Sequence, residues 1–453
     1  MTMWFPDPLD PTIPRYRAIA EQLAGAIRAG RLQPGERLPV VRELAKALNV
    51  TVGTVHRAYA LAERRGLLER RVGRGSFVSR ALAPAPDAGP VDLSLNRPAP
   101  VPMGRSLWQA LTELAADCEP ASLLDYGPSQ GLERHRRLLA DWVRQRGLEA
   151  ESDRLILSNG AQQALMIALG ALTRPGDTLL VESLTYPGIR SLAGLYGLRL
   201  RPVAMDREGL CPAALEAALR VESGVRLLFC MPWVQNPTTA TQSLARREAV
   251  VALLRRWQLP VVEADVYDHG ESRWPALSAL YPERGLYLGS LSKMVAPGLR
   301  LGFLCAPAPL LERLLAVTQA TALMVSPLVA ELAGRWLAAG IAAELARSRR
   351  EAAGRLQHQA REILDGLNVT ADPHNPHLWL SLPEPWSATD FAREARDRGV
   401  LVTPAENFAV AHPPYPAVRL CLGGAGSPEA LVRGLRTVVE LAREAPGPGA
   451  FRL

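Results

Sequence analysis

Ser290-Leu291-Ser292-Lys293-Met294-Val295-Ala296-Pro297-Gly298-Leu299-Arg300 holds the only lysine beyond residue 46 of a 453-residue chain. The β-rich run Leu286-Tyr287-Leu288-Gly289-Ser290 precedes it, so Lys293 is expected at a strand end, where open α/β sheets place their ligands. Of 52 basic residues only two, Lys46 and Lys293, are lysines. Arginine stays protonated under ordinary conditions, whereas a lysine can lose its proton and attack an aldehyde to form a Schiff base. The hydroxyls of Ser290 and Ser292 stand just before Lys293 and Arg300 follows it, a set that suits a phosphate. The plainer alternative is a solvated surface lysine.

The segments around this stretch alternate in the same way. Short β-rich runs (Leu155–Leu157, Thr178–Val181, Val225–Phe229, Leu259–Glu263, Leu286–Ser290, Gly302–Cys305) are separated by helical patterns. Such alternation indicates an α/β domain with a mainly parallel sheet. After about residue 340 come a long charged helix (Ala342–Leu367), strands near Leu378–Leu380 and Val418–Leu422, and a last helix near Pro428–Arg443. This reads as a small C-terminal α+β subdomain.

Several turns in the α/β part carry candidate chemistry. Ser158-Asn159-Gly160-Ala161-Gln162 is a strand-to-helix turn whose free N–H groups favour a phosphate, although an ordinary helix start looks similar. Tyr186 follows a β-run and either stacks on a pyridine ring or packs in the core. Asn236, in Gln235-Asn236-Pro237-Thr238, offers an amide to a phenolic oxygen or is a plain Asn-Pro turn. Tyr267, after Val261-Val262-Glu263-Ala264-Asp265-Val266, offers that oxygen a second hydrogen bond. With Lys293 these groups suit pyridoxal 5′-phosphate.

The N-terminal part is different in charge. The net charge is +7 overall, but residues 13–80 carry +9, residues 1–12 carry −2 and residues 81–453 are neutral. All excess positive charge thus sits in one block, as expected of a polyanion-binding module on a neutral body. Helical spacing places Ile19, Leu23, Ala26 and Ile27 on one face. A second short helix has Val41, Leu44, Ala45 and Leu48 on one face, and a third, about 52–65, puts Val55, Ala58, Tyr59 and Ala62 inward with Gly53, Thr54, His56 and Arg57 outward. Thr51 is expected to cap that third helix. Residues 67–78 read as a hairpin around Gly73-Arg74-Gly75. This is winged helix-turn-helix geometry: Thr54, His56 and Arg57 reach base edges, while Arg42, Lys46, Arg70, Arg71 and Arg74 lie near phosphates or the minor groove. A basic helical domain for RNA or protein is the alternative. The Ala/Pro-rich residues 81–104 read as a semi-extended linker.

The sequence also excludes classes. No window of 18 apolar residues indicates a membrane span, and no basic, apolar leader opens the chain. The five cysteines lie far apart with no CxxC pair, so neither a metal site nor a disulfide framework is expected and a reducing cytoplasm is the simplest home.

Residues 13–78 resemble a GntR-type DNA-binding domain, through Leu32-Gln33-Pro34-Gly35-Glu36-Arg37-Leu38-Pro39, Arg42-Glu43-Leu44-Ala45, Thr51-Val52-Gly53-Thr54-Val55 and Gly73-Arg74-Gly75-Ser76-Phe77-Val78. The resemblance implies DNA contacts at Arg42, Thr54, His56, Arg57 and Gly75. Thr51-Val52 stands where many relatives have Ser-Arg. Residues 105–445 resemble a fold type I, aspartate-aminotransferase-like domain. That resemblance implies Lys293 as the Schiff-base lysine and Gly160, Ala161, Gln162, Ser290 and Arg300 around the phosphate. It implies Tyr186 on the ring, Asn236 and Tyr267 on its oxygen, and Arg419 on an amino acid's carboxylate. Tyr126 matches a tyrosine that reaches the phosphate from a partner subunit, which implies a homodimer. Thr239 replaces the glycine of the family's Asn-Pro-Thr-Gly. The family's aspartate for the pyridinium nitrogen lies three residues before the tyrosine; Ala264 holds that register, leaving Asp265, one place later, as the candidate.

The combination resembles the MocR subfamily of GntR regulators. The expectation is a winged helix-turn-helix domain (10–80), a linker (81–104) and a fold type I aminotransferase-like domain (105–453, small subdomain about 340–453). Its expected function is cytoplasmic, pyridoxal-phosphate-dependent transcription regulation at a double-stranded operator, sensing an amino compound or the cofactor at Lys293. A working aminotransferase that also binds DNA, and an empty dimerisation scaffold, are the rivals.

Overall fold

The computed structural model describes residues 4, 6, 13–28, 31–33, 35–64, 67–71, 75–79, 89–117, 123–145, 148–267, 274–411 and 415–444. They form two compact units, residues 1–89 and 90–453.

In the first unit, helices α1 (Arg15–Arg28), α2 (Val41–Ala47) and α3 (Val52–Arg64) are followed by strands β1 (Leu68–Arg71) and β2 (Gly75–Val78). The apolar spacing read from the sequence is the packing: Ile19, Leu23, Ala26, Leu44, Val55, Ala58 and Ala62 are buried in one core. Tyr59 spans it and donates its hydroxyl to the carbonyl of Pro39 at 2.9 Å, which satisfies the one polar atom that burial would penalise. The Thr51 hydroxyl accepts from the Thr54 N–H at 3.2 Å, the expected cap. β1 and β2 pair antiparallel with Arg71 opposite Gly75; the wing tip, residues 72–74, lies outside the described residues.

The second unit opens with β3 (Val91–Asp92), which pairs in parallel with β15 (Val400–Leu401). The linker expected over 81–104 is therefore shorter. From Pro90 the chain belongs to the second unit, because Val91 and Leu93 bond to the backbone of Gly399 and Leu401. A two-residue strand with no periodicity of its own leaves no sequence signal.

The large sheet contains β4 (Leu155–Ser158), β5 (Thr178–Glu182), β6 (Arg199–Val203), β9 (Val225–Cys230), β10 (Val261–Asp265), β11 (Gly285–Ser290) and β12 (Gly302–Cys305), in the order β4-β12-β11-β10-β9-β5-β6. Only β12 runs antiparallel to its neighbours. A small hairpin, β7 (Met205–Asp206) with β8 (Gly209–Leu210), follows β6. Five of the seven strands are buried along their whole length on both faces, which is why they read as continuous apolar runs. One face packs on the helix Ala161–Leu172 through Ile156, Val262, Ala264 and Leu288. The other face holds Leu157, Tyr287 and Phe303.

The small subdomain carries β13 (Val369–Ala371), β14 (His377–Ser381), β16 (Thr403–Pro404) and β17 (Ala417–Cys421), in the order β13-β14-β17-β16. The helices Ile341–Ile363 and Pro428–Arg443 flank it, the second capped by the Ser427 hydroxyl on the Ala430 N–H. Both helices and the strands around 378 and 418 lie where the sequence places them.

Candidate functional site

A cavity of ≈ 400 Å³ opens at the carboxyl ends of β9, β10 and β11 and is closed by Arg419 of the small subdomain. Sheet topology places it there: the loops leaving parallel strands gather at one edge. Gly160, Ala161, Gln162, Tyr186, Asn236, Tyr267, Ser290, Ser292, Lys293, Arg300 and Arg419 were expected at one site. All but Gly160 line the cavity, and Gly160 touches it through Arg300.

One end is a cluster of donors. Ser290 Oγ and Ser292 Oγ lie 3.1 Å apart, and Arg300 Nη1 donates to Ser292 Oγ at 3.2 Å. Ala161 begins its helix there, after Gly160 at φ +83°. A Cβ on Gly160 would sit 2.4 Å from Arg300 Nη2, so only glycine allows the guanidinium this close to the helix start. Hydroxyls, a guanidinium and free helix N–H groups converging on one point suit an anion.

Lys293 stands between this cluster and Arg419. Burial, together with the Arg419 and Arg300 charges, lowers its pKa to about 8. Its Nζ donates to the backbone carbonyl of Asn96. The Asn96 side-chain Nδ2 donates to the Tyr267 hydroxyl at 2.5 Å. Tyr267 is fully buried and its ring packs against His377, centroids 5.2 Å apart. Burial, with Arg419 nearby, lowers the His377 pKa to about 3, so the imidazole is neutral and adds no charge to the site.

Arg419, on β17, lies over the Phe408 ring with its Cζ 4.8 Å from the centroid. It donates to Asn236 Oδ1 at 2.8 Å and to the Ser94 carbonyl at 2.7 Å. The first bond fixes the Asn236 amide and leaves its Nδ2 as the donor for a ligand atom.

Asp265 does not join the site. Strand side chains alternate between faces, and on β10 it is Ala264 that lines the cavity. Leu288 lies beside it in register on β11, and Phe229 and Leu165 complete an apolar wall. The Asp265 carboxylate accepts the Tyr287 hydroxyl at 2.8 Å. Tyr126 also stands outside the cavity, with 81% of its surface exposed. Ser94 and Asn96 are the residues that sequence reasoning missed, because they fall in the stretch read as linker.

In the first unit Arg42, His56 and Arg57 are exposed and Thr54 is half-exposed, all on α2 and α3. Gly75 has φ +106° and packs beside the Arg37 side chain. Arg74 lies outside the described residues. Among the described residues no cluster of acidic, Cys and His groups could hold a metal ion, and no helix is long and apolar enough to cross a membrane.

Such a molecule is a DNA-binding module joined to a domain with the aminotransferase fold. Residues 15–78 match the family of bacterial regulatory proteins, gntR family, and residues 102–438 match aminotransferase class I and II. The chain is 31% identical to the HTH-type transcriptional regulator YdeF of Bacillus subtilis, over 93% of each protein. It is 31% identical to the HTH-type pyridoxine biosynthesis transcriptional regulator PdxR of Corynebacterium glutamicum, over 67% of this chain and 68% of that one. The solved structure of LysN, an α-aminoadipate aminotransferase of Thermus thermophilus complexed with N-(5′-phosphopyridoxyl)-L-leucine, superposes with a TM-score of 0.71 at 26% identity, covering 79% of this chain and 92% of LysN. The chain belongs to the GntR regulators of MocR architecture, with a class I and II aminotransferase domain. It is a DNA-binding transcriptional regulator, and pyridoxal 5′-phosphate is the cofactor of its large domain.

Proposed function

We propose that the large domain holds the cofactor's aldehyde through the Lys293 amine, that it senses the cofactor itself or an amino compound that would take the place of Lys293 on that aldehyde, and that it does not turn its ligand over. Ala161, Gln162, Ser290, Ser292 and Arg300 would hold the phosphate, a role that their convergent donors suit. Tyr186 would cover the ring, and Asn236 and Tyr267 would donate to its oxygen. Arg419 would orient a ligand carboxylate by a bidentate pair. The bound cofactor supplies an aldehyde that a primary amine captures covalently.

The single observation behind sensing rather than catalysis is the apolar wall at Ala264. The described residues fit the cofactor at its phosphate, aldehyde and oxygen, but none of those lining the cavity offers a carboxylate for the ring nitrogen. Without that partner the electron sink needed for transamination is weak, whereas binding rests on the other groups. Tyr126 would reach the phosphate of a second subunit in a homodimer; its exposure, with that of Leu124 (77%) and Trp108 (71%) in the same unit, supports that reading. The ligand must favour one pose of the dimer over another to change how two recognition helices meet an operator. Cytoplasmic DNA is the target.

The test is a titration of the purified protein with pyridoxal 5′-phosphate, followed by amino donors and keto acids. A visible absorbance band that is absent in Lys293→Ala, with no amino-group transfer, is the expected result. Sustained transfer would establish a working aminotransferase instead, and a colourless wild-type protein would leave only a scaffold.

A further inference from the structure

The segment Ser94–Asn96 is held by the ligand-binding side chains themselves. β3 fixes its start: Leu93 donates to Leu401 at 2.9 Å and its carbonyl accepts from Cys421 at 2.8 Å. The Asp92 carboxylate then takes the Ser94 N–H at 2.8 Å, the Ser94 hydroxyl at 2.7 Å and the Leu95 N–H at 3.2 Å, which turns the chain into the cavity. There the Ser94 carbonyl accepts from Arg419 Nη2 at 2.7 Å and from the Thr403 hydroxyl at 3.1 Å. Asn96 places its carbonyl on Lys293 and its amide on Tyr267. Its own Oδ1 is buried without a hydrogen-bond partner.

We infer that Ser94–Asn96 is an intrachain competitor for the ligand, released in two steps, the cofactor taking the Lys293 contact and a ligand carboxylate the Arg419 contact. The inference rests on Lys293 capturing the cofactor. Lys293, which holds the Asn96 carbonyl, is the group assigned to the cofactor's aldehyde, so cofactor binding takes that contact from Asn96, whereas the Tyr267 hydroxyl can accept from Asn96 Nδ2 and donate to the cofactor's oxygen at once. Arg419, which holds Ser94, is the group for a carboxylate. A neutral carbonyl on one guanidinium nitrogen is a weaker acceptor than a carboxylate on two, because charge-assisted bidentate bonds are roughly twice as strong. A carboxylate therefore displaces Ser94, whereas an amine without one leaves that contact in place. The unsatisfied Oδ1 of Asn96 weakens the strap's hold further, since a buried acceptor without a donor opposes the arrangement that buries it.

The strap also lies where release can be reported. Along the chain only residues 79–90 separate Val78, the end of β2 in the DNA-binding unit, from β3. Freeing residues 94–96 loosens the first turn after the point where that connection enters the large domain.

Hydrogen–deuterium exchange of peptides covering residues 91–101 in the full-length protein tests this, with visible absorbance recorded on the same samples. Pyridoxal 5′-phosphate should raise exchange at 95–97 several-fold. N-(5′-phosphopyridoxyl)glycine should raise it at 94–95 beyond the level given by N-(5′-phosphopyridoxyl)methylamine, which lacks only the carboxylate. A full absorbance band with exchange unchanged or slowed, or equal exchange with the two adducts, would overturn the inference while the capture at Lys293 stands. No band in the wild-type protein would refute the capture, and the strap's role with it.

Discussion

The Tyr287 hydroxyl donates to the Asp265 carboxylate at 2.8 Å, on the face of the large sheet opposite the cavity. Tyr287 lies beside Glu263 in the β10–β11 register and Ala264 beside Leu288. The two-residue period of β10 therefore sends Glu263 and Asp265 to one face and Ala264 to the other. A one-residue slip would be needed to bring Asp265 to the cavity, and it would turn Glu263 out of the bonds that its carboxylate accepts from Leu277 and Ser278. Ala264→Asp is the way to supply the missing carboxylate. In the absence of cofactor it should destabilise the protein by about 3–5 kcal/mol, as an unpaired buried charge does, with part of that loss recovered on adding pyridoxal 5′-phosphate. Amino-group transfer, read as keto acid formed from an amino donor, should appear in this variant and not in the wild type. Urea unfolding with and without cofactor checks the first effect.

Tyr287→Phe separates the structural role of Asp265 from a ligand role. Removing the hydroxyl takes one donor from a buried carboxylate and should cost about 1–3 kcal/mol in denaturant unfolding. Affinity for pyridoxal 5′-phosphate should not change, because neither residue lines the cavity. A large loss of affinity at unchanged stability would return Asp265 to the site.

Lys293 gives a pH dependence with a defined sign. Burial holds its pKa at about 8 against 10.5 for the free side chain. About one molecule in ten then carries the neutral amine at pH 7, and most do by pH 9. The rate of band formation with pyridoxal 5′-phosphate should rise with pH and level off above about 8. Between pH 8 and 10.5 the unfolded chain holds a proton that the folded one has lost, so this group's contribution makes folding more favourable as pH rises through that window. Lys293→Arg, which stays protonated, should give no band at any of these pH values. Stopped-flow absorbance across pH 6–10 decides the matter; a rate that still climbs steeply between pH 9 and 10 would contradict the lowered pKa.

The legible parts of this molecule are those whose signal is local and strong. Five of the six apolar runs are strands buried on both faces of a covered sheet, and the sixth, β9, is buried from Leu227 onward. β6 escaped, since Arg199 and Arg201 are exposed on an edge strand and break the run. Lys293, Arg300 and Asn236 were readable because each sits in a short motif at a strand end. Ser94 and Asn96 were not: their roles come from backbone carbonyls and from a two-residue strand paired with residues some 300 positions away in sequence. The register of β10 was readable in principle from alternation, but it takes the bonds of Glu263 to Leu277 and Ser278 and of Asp265 to Tyr287 to fix which face Asp265 takes.

Gly160→Ala should weaken cofactor binding through geometry alone. Gly160 has φ +83° and ψ 169°, a nearly glycine-only conformation that costs a residue with a Cβ about 1–3 kcal/mol. The added methyl would also lie 2.4 Å from Arg300 Nη2, pushing the guanidinium from its bond to Ser292. The expected outcome is a loss of about 1–3 kcal/mol in stability and at least a tenfold weaker affinity for pyridoxal 5′-phosphate, while pyridoxal without its phosphate should bind the variant and the wild type alike. Equal losses for the two vitamers would place the damage in the fold and not in the phosphate end.

The DNA-binding unit offers a test that separates base reading from charge. Arg57 and His56 are exposed on α3, one turn from its start, while Val55, Ala58 and Tyr59 on the same helix are buried. The helix can therefore present Arg57 without moving its core face. A side chain that pairs with a base edge contributes about 1–3 kcal/mol of discrimination, whereas a phosphate contact weakens all sequences alike and lowers the salt slope by about one. Arg57→Ala should lose roughly tenfold or more on the operator and far less on unrelated duplex, with the salt slope on unrelated duplex unchanged. Lys46→Ala, exposed on α2, should lose affinity equally on both. Fluorescence anisotropy at several salt concentrations reads both quantities, and a uniform loss for Arg57→Ala would assign that arginine to the backbone.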